Sequence, residues 1–565
     1  MNALRGTMLA TGAAMMIAVG GCGDGGNELP PVQKVNILTG PRFWTGDSKR
    51  PWADGLVVND GRIERVLERA EIGPLISAGG TVRQLPGALA VPGLVDAHGH
   101  VTSYAVWQQR ASLLGARSLD ETLDRVRAFA AEHPDDAWVL GRGWDQNDWP
   151  GRAWPDAERL EQAVPGRPAA MTRVDGHALW VNRSALAAAG ITAATPDPSG
   201  GRIHRDAAGR PTGVLIDRAM ELVENVIPAP SARAVEQALA DAAQQLVALG
   251  LTGVHDMDAD APGYGSGWNR MRALAKQGNF PLRISAFASL GSPLHREILD
   301  GGPIEDGRLR AIGVKLYMDG ALGSRGARLS APYTDEPKSS GLWLTELAEV
   351  GAQARQATDA GLETAIHAIG DAGIRAALEV ARLTRTTATN RGPQRFRIEH
   401  AQIVDLSDVP RFKELGVIAS MQPTHATSDM PWAEDRVGPE RIRGAYAWRT
   451  FLAAGVPLAF GSDFPIESPD PRLGLYAAVT RQDRSGMPPG GWLPEQRLTL
   501  AEALAAFSAG AAYAAGQENE LGMLAPGYWA DLTIFEDDLF ALPPEKLPAA
   551  GIAATVIAGE TVYAK

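Results

Sequence analysis

The segment Leu89-Ala-Val-Pro-Gly-Leu-Val-Asp-Ala-His-Gly-His100 is an apolar run that ends in two histidines, and it is the first of the strand patterns from which the fold is predicted. Short apolar runs of this kind, rich in β-branched residues, recur along the chain and are predicted as strands. Eight are found, at Leu89–Val95, Leu251–Met257, Leu282–Phe287, Ala311–Tyr317, Glu363–Ile366, Phe396–Glu399, Val417–Met421 and Pro457–Phe460. Helical patterns separate them, and this alternation indicates parallel βαβ units. The sequence therefore predicts an α/β fold, a closed TIM-like (β/α)8 barrel at 89–515, whose active site lies at the carboxyl ends of its strands.

Two regions fall outside this repeat. Roughly 150 residues separate the first two predicted strands, too many for one βα unit, so residues 103–250 are predicted as an inserted subdomain that caps the barrel mouth. Both ends of the chain carry further strand patterns, at Val35–Leu38, Gly55–Val58, Arg62–Val66, Asp531–Phe535 and Ile552–Tyr563. We expect residues 33–88 and 516–565 to form one small β-sandwich domain together.

The amino terminus has the pattern of an export signal over residues 1–21. Arg5 precedes an uncharged, largely apolar stretch that reaches Gly21, and the stretch is too short for a transmembrane helix. Val19-Gly-Gly-Cys22 resembles a bacterial lipobox, in which Cys22 becomes lipidated and residues 22–32 form a tether. We expect an exported lipoprotein that is anchored to a membrane and faces the periplasm. A cleaved secretory signal with an incidental cysteine is the alternative.

Composition limits the partners of the chain. It has 565 residues, with 54 Lys plus Arg against 66 Asp plus Glu, for a net charge of −12. This acidic balance offers no basic surface of the kind that nucleic acid requires, so nucleic acid is not an expected partner. No later run approaches the length of a transmembrane helix, so the anchor is the one expected membrane contact. A small-molecule substrate is expected, and the oligomeric state, including a homodimer, is left open.

Candidate metal ligands stand at the ends of the predicted strands. His98 and His100 are two residues apart, so in extended backbone both imidazoles point to the same side and reach one cation. His367, His400 and Asp463 end predicted strands five, six and eight. The single cysteine, Cys22, rules out a cysteine-based metal site and an intrachain disulfide. The imidazoles and the carboxylate suit zinc or a similar divalent ion.

Lys315 lies inside the apolar strand pattern Ile312-Gly-Val-Lys-Leu-Tyr317. A lysine in a buried strand is costly unless it is neutralised, paired or modified, and burial lowers the pKa of its amine. A neutral amine reacts with carbon dioxide to form a carbamate, whose two oxygens are able to bridge two cations. Lys315 is therefore a candidate for carboxylation.

These residues and their surroundings resemble the metal-dependent amidohydrolase superfamily and, within it, the amidohydrolase-3 family, which includes N-substituted formamide deformylases. The motifs that carry the resemblance include Pro92-Gly-Leu-Val-Asp-Ala-His-Gly-His100, Lys315-Leu-Tyr-Met-Asp-Gly-Ala-Leu-Gly-Ser-Arg325, His367-Ala-Ile-Gly-Asp371, Ile398-Glu-His400 and Gly461-Ser-Asp463. The resemblance implies one or two zinc ions, one of them on His98 and His100. It also implies His367 and His400 on the second ion, a carboxylated Lys315 between the two, and Asp463 as ligand and proton carrier.

The resemblance and the ligand chemistry lead to a predicted reaction. A bound divalent cation lowers the pKa of its water to about 7, and Asp463 takes the proton of the attacking water and passes it to the leaving amine. We predict a hydrolase for carbon–nitrogen bonds other than peptide bonds, in an amide or formamide. Two alternatives stay open: hydrolysis of an ester, lactone or cyclic amide at the same site, and a catalytically silent ligand-binding lipoprotein.

Three further residues are candidate substrate-binding groups. Arg325 follows the glycine-rich turn after strand four, where a planar cation could bind a substrate carbonyl or carboxylate. His177 and His425 belong to the family-like motifs Asp175-Gly-His177 and Gln422-Pro-Thr-His425, and are candidate hydrogen-bond donors in the pocket. A surface salt bridge for Arg325 and structural roles for the two histidines are the alternatives.

Overall fold

The computed structural model describes residues 36–260, 265–385 and 394–565. The predicted export signal, the tether and Cys22 lie outside these ranges. None of the helices in the described ranges combines the length and the apolar character that a membrane span requires.

A parallel barrel forms the centre of the described part of the chain. Its strands, in spatial and sequence order, are Leu94–Gly99, Leu251–Asp256, Arg283–Ser289, Leu309–Tyr317, Glu363–Ala368, Phe396–His400, Ile418–Met421 and Leu458–Phe460. We number these eight described strands as barrel strands one to eight. A parallel bridge between Gly99 and Phe464 joins strand one to the segment after strand eight. The predicted TIM-like fold is confirmed.

Helices cover the outside of the barrel and connect its strands. The helices within the described residues and outside the inserted segment are Arg69–Ser77, Val101–Trp107, Ala232–Ala248, Gly267–Lys276, Pro293–Gly301, Leu347–Asp359, Asp371–Arg385, Val409–Leu415, Pro423–Asp429, Ala433–Arg441, Trp448–Ala453, Pro471–Thr480, Leu500–Ala506 and Ala509–Ala514. Arg69–Ser77 packs against strands of the amino-terminal region. The apolar faces of the other helices pack on the barrel, as in Ala232–Ala248, whose buried Leu239 and Leu246 belong to the same core as Leu251. This packing fixes the strands whose ends carry the predicted ligands.

The first predicted strand is wrong in one respect. Leu89–Val95 is not one barrel strand, because the chain passes from one sheet to another at Gly93. Leu89–Pro92 pairs with Leu532–Phe535 in the terminal sheet, and Leu94–Gly99 begins the barrel. A Cβ atom at Gly93 would lie 2.4 Å from Thr252 Oγ1, so a residue without a side chain permits the crossing.

Both ends of the chain contribute strands to one sheet. Its described strands run in the order Glu560–Ala564, Ile552–Ile557, Leu532–Phe535, Leu89–Pro92, Asn36–Trp44, Trp52–Asn59 and Arg62–Leu67, with Thr81–Gln84 paired to Asn36–Trp44. Buried side chains from strands of both termini, such as Phe43, Ile63 and Ile534, form one cluster. The sheet thus encloses a core of its own beside the barrel.

The inserted segment builds another sheet. Its described strands run in the order Gly201–Arg205, Pro211–Asp217, Ala178–Val181, Ala169–Arg173, Val139–Trp144 and Ala111–Ser112, with helices at Leu119–Glu132, Ala157–Ala163, Arg183–Ala188 and Glu221–Glu224. Trp144 and Trp180 are fully buried in its core and stabilise the subdomain. The predicted insertion at 103–250 extends too far, because Ala232–Ala248 packs in the barrel core.

Candidate metal centre

The side chains predicted as ligands meet at the carboxyl ends of the barrel strands. His98 Nε2 lies 3.4 Å from Asp463 Oδ1, and His100 Nε2 lies 2.9 Å from the same oxygen. Lys315 Nζ lies 3.1 Å from His98 Nε2. The rings of His98 and His400 have centroids 4.9 Å apart, and those of His367 and His400 are 4.5 Å apart. One cluster thus holds all of the predicted ligands, namely His98, His100, Lys315, His367, His400 and Asp463.

Two of these positions have an uncommon backbone conformation. His400 and Asp463 have φ angles of +71° and +59°, in the left-handed region that residues with a Cβ rarely adopt. Asp463 N donates to the carbonyl oxygen of His98 at 2.7 Å, which ties strand one to the segment after strand eight. Backbone strain of this kind persists where the surrounding fold dictates it, and it is common at functional sites.

Burial sets the protonation of the cluster. It lowers the pKa values of His98, His367 and His400 well below the usual value for histidine, and nearby cationic groups act in the same direction. Burial also lowers the pKa of Lys315 to about 8. Burial alone would raise the pKa of Asp463, but neighbouring imidazoles outweigh it and hold the pKa below its ordinary value. Neutral imidazoles and an ionised carboxylate are the forms that bind metal.

The donor set fits a divalent cation. One ligand atom each from His98, His400 and Asp463 lie within 4.8 Å of one another. His367 Nε2 is buried and makes no hydrogen bond to any residue of the described part of the chain. A buried ring nitrogen without a partner is costly in an apo protein and is satisfied by a metal bond.

A cavity of about 850 Å³ opens above the cluster, and the barrel and the inserted subdomain both line it. The barrel contributes His367, His400, His425 and Asp463, and the subdomain contributes Arg173 and His177. This volume lies in the range of about 300–1,000 Å³ that is typical of small-molecule sites. The cavity therefore has room for a substrate beside the cluster.

His177 reaches the cavity from the subdomain and is held by Asp217. Its Nδ1 donates to Asp217 Oδ1 at 2.7 Å, and its ring centroid lies 5.3 Å from that of His367. Burial would lower the pKa of His177, but the hydrogen bond and charge of Asp217 outweigh it, so the pKa is raised. The subdomain thus places an imidazole that favours the charged form beside the metal-ligand cluster.

A family model and known proteins match nearly the whole chain. The model of the amidohydrolase family matches residues 81–563. The chain belongs to the amidohydrolase family. The predicted resemblance is confirmed.

Two relatives and one solved structure illustrate the match. A Bacillus subtilis protein named as the amidohydrolase YtcJ is 33% identical over 524 residues, which cover 91% of this chain and 95% of the relative. An N-substituted formamide deformylase of Arthrobacter pascens is 27% identical, over 87% of this chain and 92% of the relative. The crystal structure of a metal-dependent hydrolase from Pyrococcus horikoshii OT3 has a TM-score of 0.72 and 27% identity, and covers 90% of this chain and 99% of that one. The chain is therefore a hydrolase of the amidohydrolase family.

Two of the three candidate substrate-binding residues of the amidohydrolase line the cavity, and the third does not. His177 and His425 line the cavity, and His425 Nε2 lies 3.8 Å from Asp463 Oδ2. Arg325 is not among the described residues that line it. Arg325 Nη2 instead lies 2.9 Å from Asp335 Oδ2, and its Nε lies 3.5 Å from Glu336 Oε2. Arg325 therefore matches the salt-bridge alternative, because Asp335 and Glu336 in the segment after strand four pair with its guanidinium.

Sequence reasoning missed the buried groups that support the ligands. Glu399 Oε2 accepts from His98 Nδ1 at 2.6 Å, and Gln422 Oε1 accepts from His400 Nδ1 at 2.9 Å. Asp96 accepts from the backbone and side chain of Ser462 beside Asp463. A signal was present, because Glu399 lies within the predicted strand Phe396–Glu399, as Lys315 lies within its own, and Asp96 directly follows the predicted strand Leu89–Val95. The same argument on the cost of burial would have selected them.

Proposed function

We propose that the amidohydrolase cleaves the carbon–nitrogen bond of an amide or formamide that is not a peptide bond. The observation that carries the proposal is the convergence of five potential ligands and Lys315 below one cavity. Support for the substrate class comes from the relative named as an N-substituted formamide deformylase. Hydrolysis of such a substrate adds water across the bond and releases a carboxylic acid and an amine.

We propose that His98, His100, His367, His400, Asp463 and a carboxylated Lys315 hold one or two divalent ions, with zinc as the expected metal. A bound divalent cation supplies a Lewis acid and makes water a nucleophile at neutral pH. Lys315 is buried, and a pKa of about 8 leaves part of its amine neutral at pH 7 to 8. The neutral amine adds to carbon dioxide, and a carbamate and one proton are the products.

The side chains around the cavity have separate roles in the proposed reaction. Asp463 is ionised and faces the cavity, so its carboxylate accepts the proton of the attacking water and returns it to the leaving nitrogen. His100 Nε2 lies 2.9 Å from Asp463 Oδ1, close enough for both groups to bind the same ion. His177 and His425 lie on the cavity wall, where they would bind the substrate by hydrogen bonds.

A turnover screen tests the proposed substrate class. The purified chain is loaded with zinc and assayed against formamides, N-acyl amines, N-acyl amino acids and lactones. Release of an amine from a formamide or N-acyl amine supports the proposal. Exclusive turnover of lactones or esters supports the first alternative, and ligand binding without turnover supports a silent binding protein.

Carboxylation of Lys315 is tested separately. Protein prepared with 13C-labelled bicarbonate should give a carbamate carbon resonance, and Lys315→Gln should lack it. Lys315→Gln is a suitable control because an amide of similar length cannot add carbon dioxide. A wild-type spectrum without this resonance, in protein that contains metal, would contradict the carbamate.

A further inference from the structure

A buried ion pair lies beneath the metal-ligand cluster. Arg397 and Glu399 are on barrel strand six, and the side chains of both are fully buried. Arg397 Nε donates to Glu399 Oε1 at 2.8 Å, and its Nη2 donates to Oε2 at 3.2 Å. A buried pair of charges is costly, and apolar residues would often fill the same space at lower cost. The retained charges point to a role other than stability.

Glu399 determines which nitrogen of His98 carries the proton. His98 Nδ1 lies 2.6 Å from Glu399 Oε2, while His98 Nε2 lies 3.1 Å from Lys315 Nζ. A carboxylate oxygen accepts a hydrogen bond from a ring N–H, so the contact with Glu399 places the proton of a neutral His98 on Nδ1 and leaves the lone pair on Nε2. That lone pair faces Asp463, at 3.4 Å, where the cation is proposed to bind.

Arg397 in turn fixes Glu399. Its Nη1 donates to His255 Nδ1 at 2.8 Å, and its Nη2 donates to the carbonyl oxygen of Ala97 at 2.6 Å and to Ser420 Oγ at 2.8 Å. These partners belong to barrel strands two, one and seven. One guanidinium thus connects four strands below the cluster. Glu399 is held from below by a group that cannot move without breaking these contacts.

The partner of His400 shows that the two histidines are supported unequally. His400 Nδ1 is held by Gln422 Oε1, at 2.9 Å, which is the neutral oxygen of an amide. A carboxylate that accepts from a metal-bound imidazole fixes the ring and raises its basicity. Glu399 is a carboxylate paired with a guanidinium, whereas Gln422 offers only an amide oxygen, so the effect of Glu399 on His98 should exceed the effect of Gln422 on His400. The charge of Glu399 should therefore contribute directly to metal affinity.

We propose that the Arg397–Glu399 pair is a positioning pair, which holds His98 with Nδ1 protonated and Nε2 directed at the cation site. The inference rests on the proposed function in one respect, which is that a divalent cation binds to this cluster. It assigns Glu399 and Arg397 to metal binding and not to contact with the substrate.

The test compares two substitutions that replace a buried carboxylate by an amide. Glu399→Gln removes the charge below His98 and keeps the side-chain volume. Asp531→Asn is the matched control, because Asp531 Oδ2 and Oδ1 accept from Arg283 Nε and Nη2 at 2.6 and 3.0 Å, at the amino-terminal end of strand three. The zinc affinity of metal-free protein is measured by competition with a chromophoric chelator.

The expected outcome is a loss of zinc affinity that is specific to the cluster. Glu399→Gln should bind zinc about 10- to 100-fold more weakly than the wild type, while Asp531→Asn should keep the wild-type affinity within about twofold. Wild-type affinity in a folded Glu399→Gln protein would overturn the proposal. An equal loss in both variants would also overturn it, because general destabilisation would then explain the effect.

A measurement on the wild type keeps the test decisive if Glu399→Gln does not fold. Long-range 1H–15N correlation spectra of metal-free protein with 15N-labelled histidine report the protonated nitrogen of each ring, and His98→Gln assigns the His98 signals. A proton on Nδ1 of His98 supports the proposal, and a proton on Nε2 overturns it.

The outcomes separate this inference from the proposed function. A wild-type protein that binds zinc but hydrolyses no carbon–nitrogen substrate refutes the proposed substrate class, and the affinities still decide the role of Glu399. A wild-type protein that hydrolyses formamides while Glu399→Gln binds zinc normally refutes the positioning role and leaves the proposed function intact.

Discussion

The barrel and the inserted subdomain place histidines beside one another in opposite electrostatic settings. Burial lowers the pKa values of the barrel residues His98, His367 and His400, whereas Asp217 raises the pKa of His177 on the subdomain. Neutral imidazoles are metal ligands, and a charged imidazole is a hydrogen-bond donor through both nitrogens. This difference supports the proposal that the barrel supplies the metal-binding groups and the subdomain supplies a group for the substrate.

The largest expected loss of activity follows a substitution of Asp463, which belongs to the barrel. Asp463→Asn should lower kcat by about 10³-fold, because the amide cannot accept the proton of the attacking water. Bound metal should remain, since His98, His100, His367 and His400 are unchanged. Steady-state kinetics and elemental analysis of the same preparation provide the measurement. Retention of metal with a kcat near that of the wild type would show that another group carries the proton.

A smaller loss of activity is expected when His177 of the subdomain is replaced. His177→Gln should lower kcat/KM by roughly 10- to 100-fold, because the cavity loses an imidazole placed for substrate contact. The metal content should equal that of the wild type, since the subdomain histidine is not a proposed ligand. Elemental analysis alongside kinetics checks both statements. If the metal content falls together with activity, the proposal that barrel residues bind the metal while His177 contacts the substrate is wrong.

The sequence predicted the barrel side of the site better than the subdomain side for a physical reason. Parallel strands of a barrel bring their carboxyl ends to one rim, so His98, His367 and Asp463 could be assigned to one cluster from strand positions alone. The error at Leu89–Val95 did not disturb this assignment, because the true strand, Leu94–Gly99, still ends beside His98 and His100.

The cavity wall depends on contacts that strand patterns do not encode. Asp217 holds His177 from 40 residues further along the chain, across strands of the inserted sheet. Arg325 follows strand four, as the sequence indicated, yet Asp335 and Glu336 pair with its guanidinium away from the cavity. Side-chain direction in these loops is set by tertiary packing, which the periodicity of the sequence does not reveal.

The smallest expected effect tests the raised pKa of His177 directly. A group whose pKa is higher in the folded than in the unfolded state stabilises the fold. Its contribution is complete at a pH below the pKa of the unfolded chain, which is about 6.5 for histidine. This contribution is lost as the pH rises through the folded pKa. The Tm difference between metal-free wild type and Asp217→Asn should therefore be larger at pH 5.5 than at pH 9.

The same experiment separates His177 from the barrel histidines. His98, His367 and His400 also titrate with lowered pKa values in metal-free protein, but they are common to both proteins and cancel in the difference. The shift should amount to a few degrees at most, because one partly exposed pair acts within a large chain. A Tm difference that is constant between pH 5.5 and pH 9 would mean that Asp217 positions a neutral His177, and the electrostatic contrast between barrel and subdomain would then be lost.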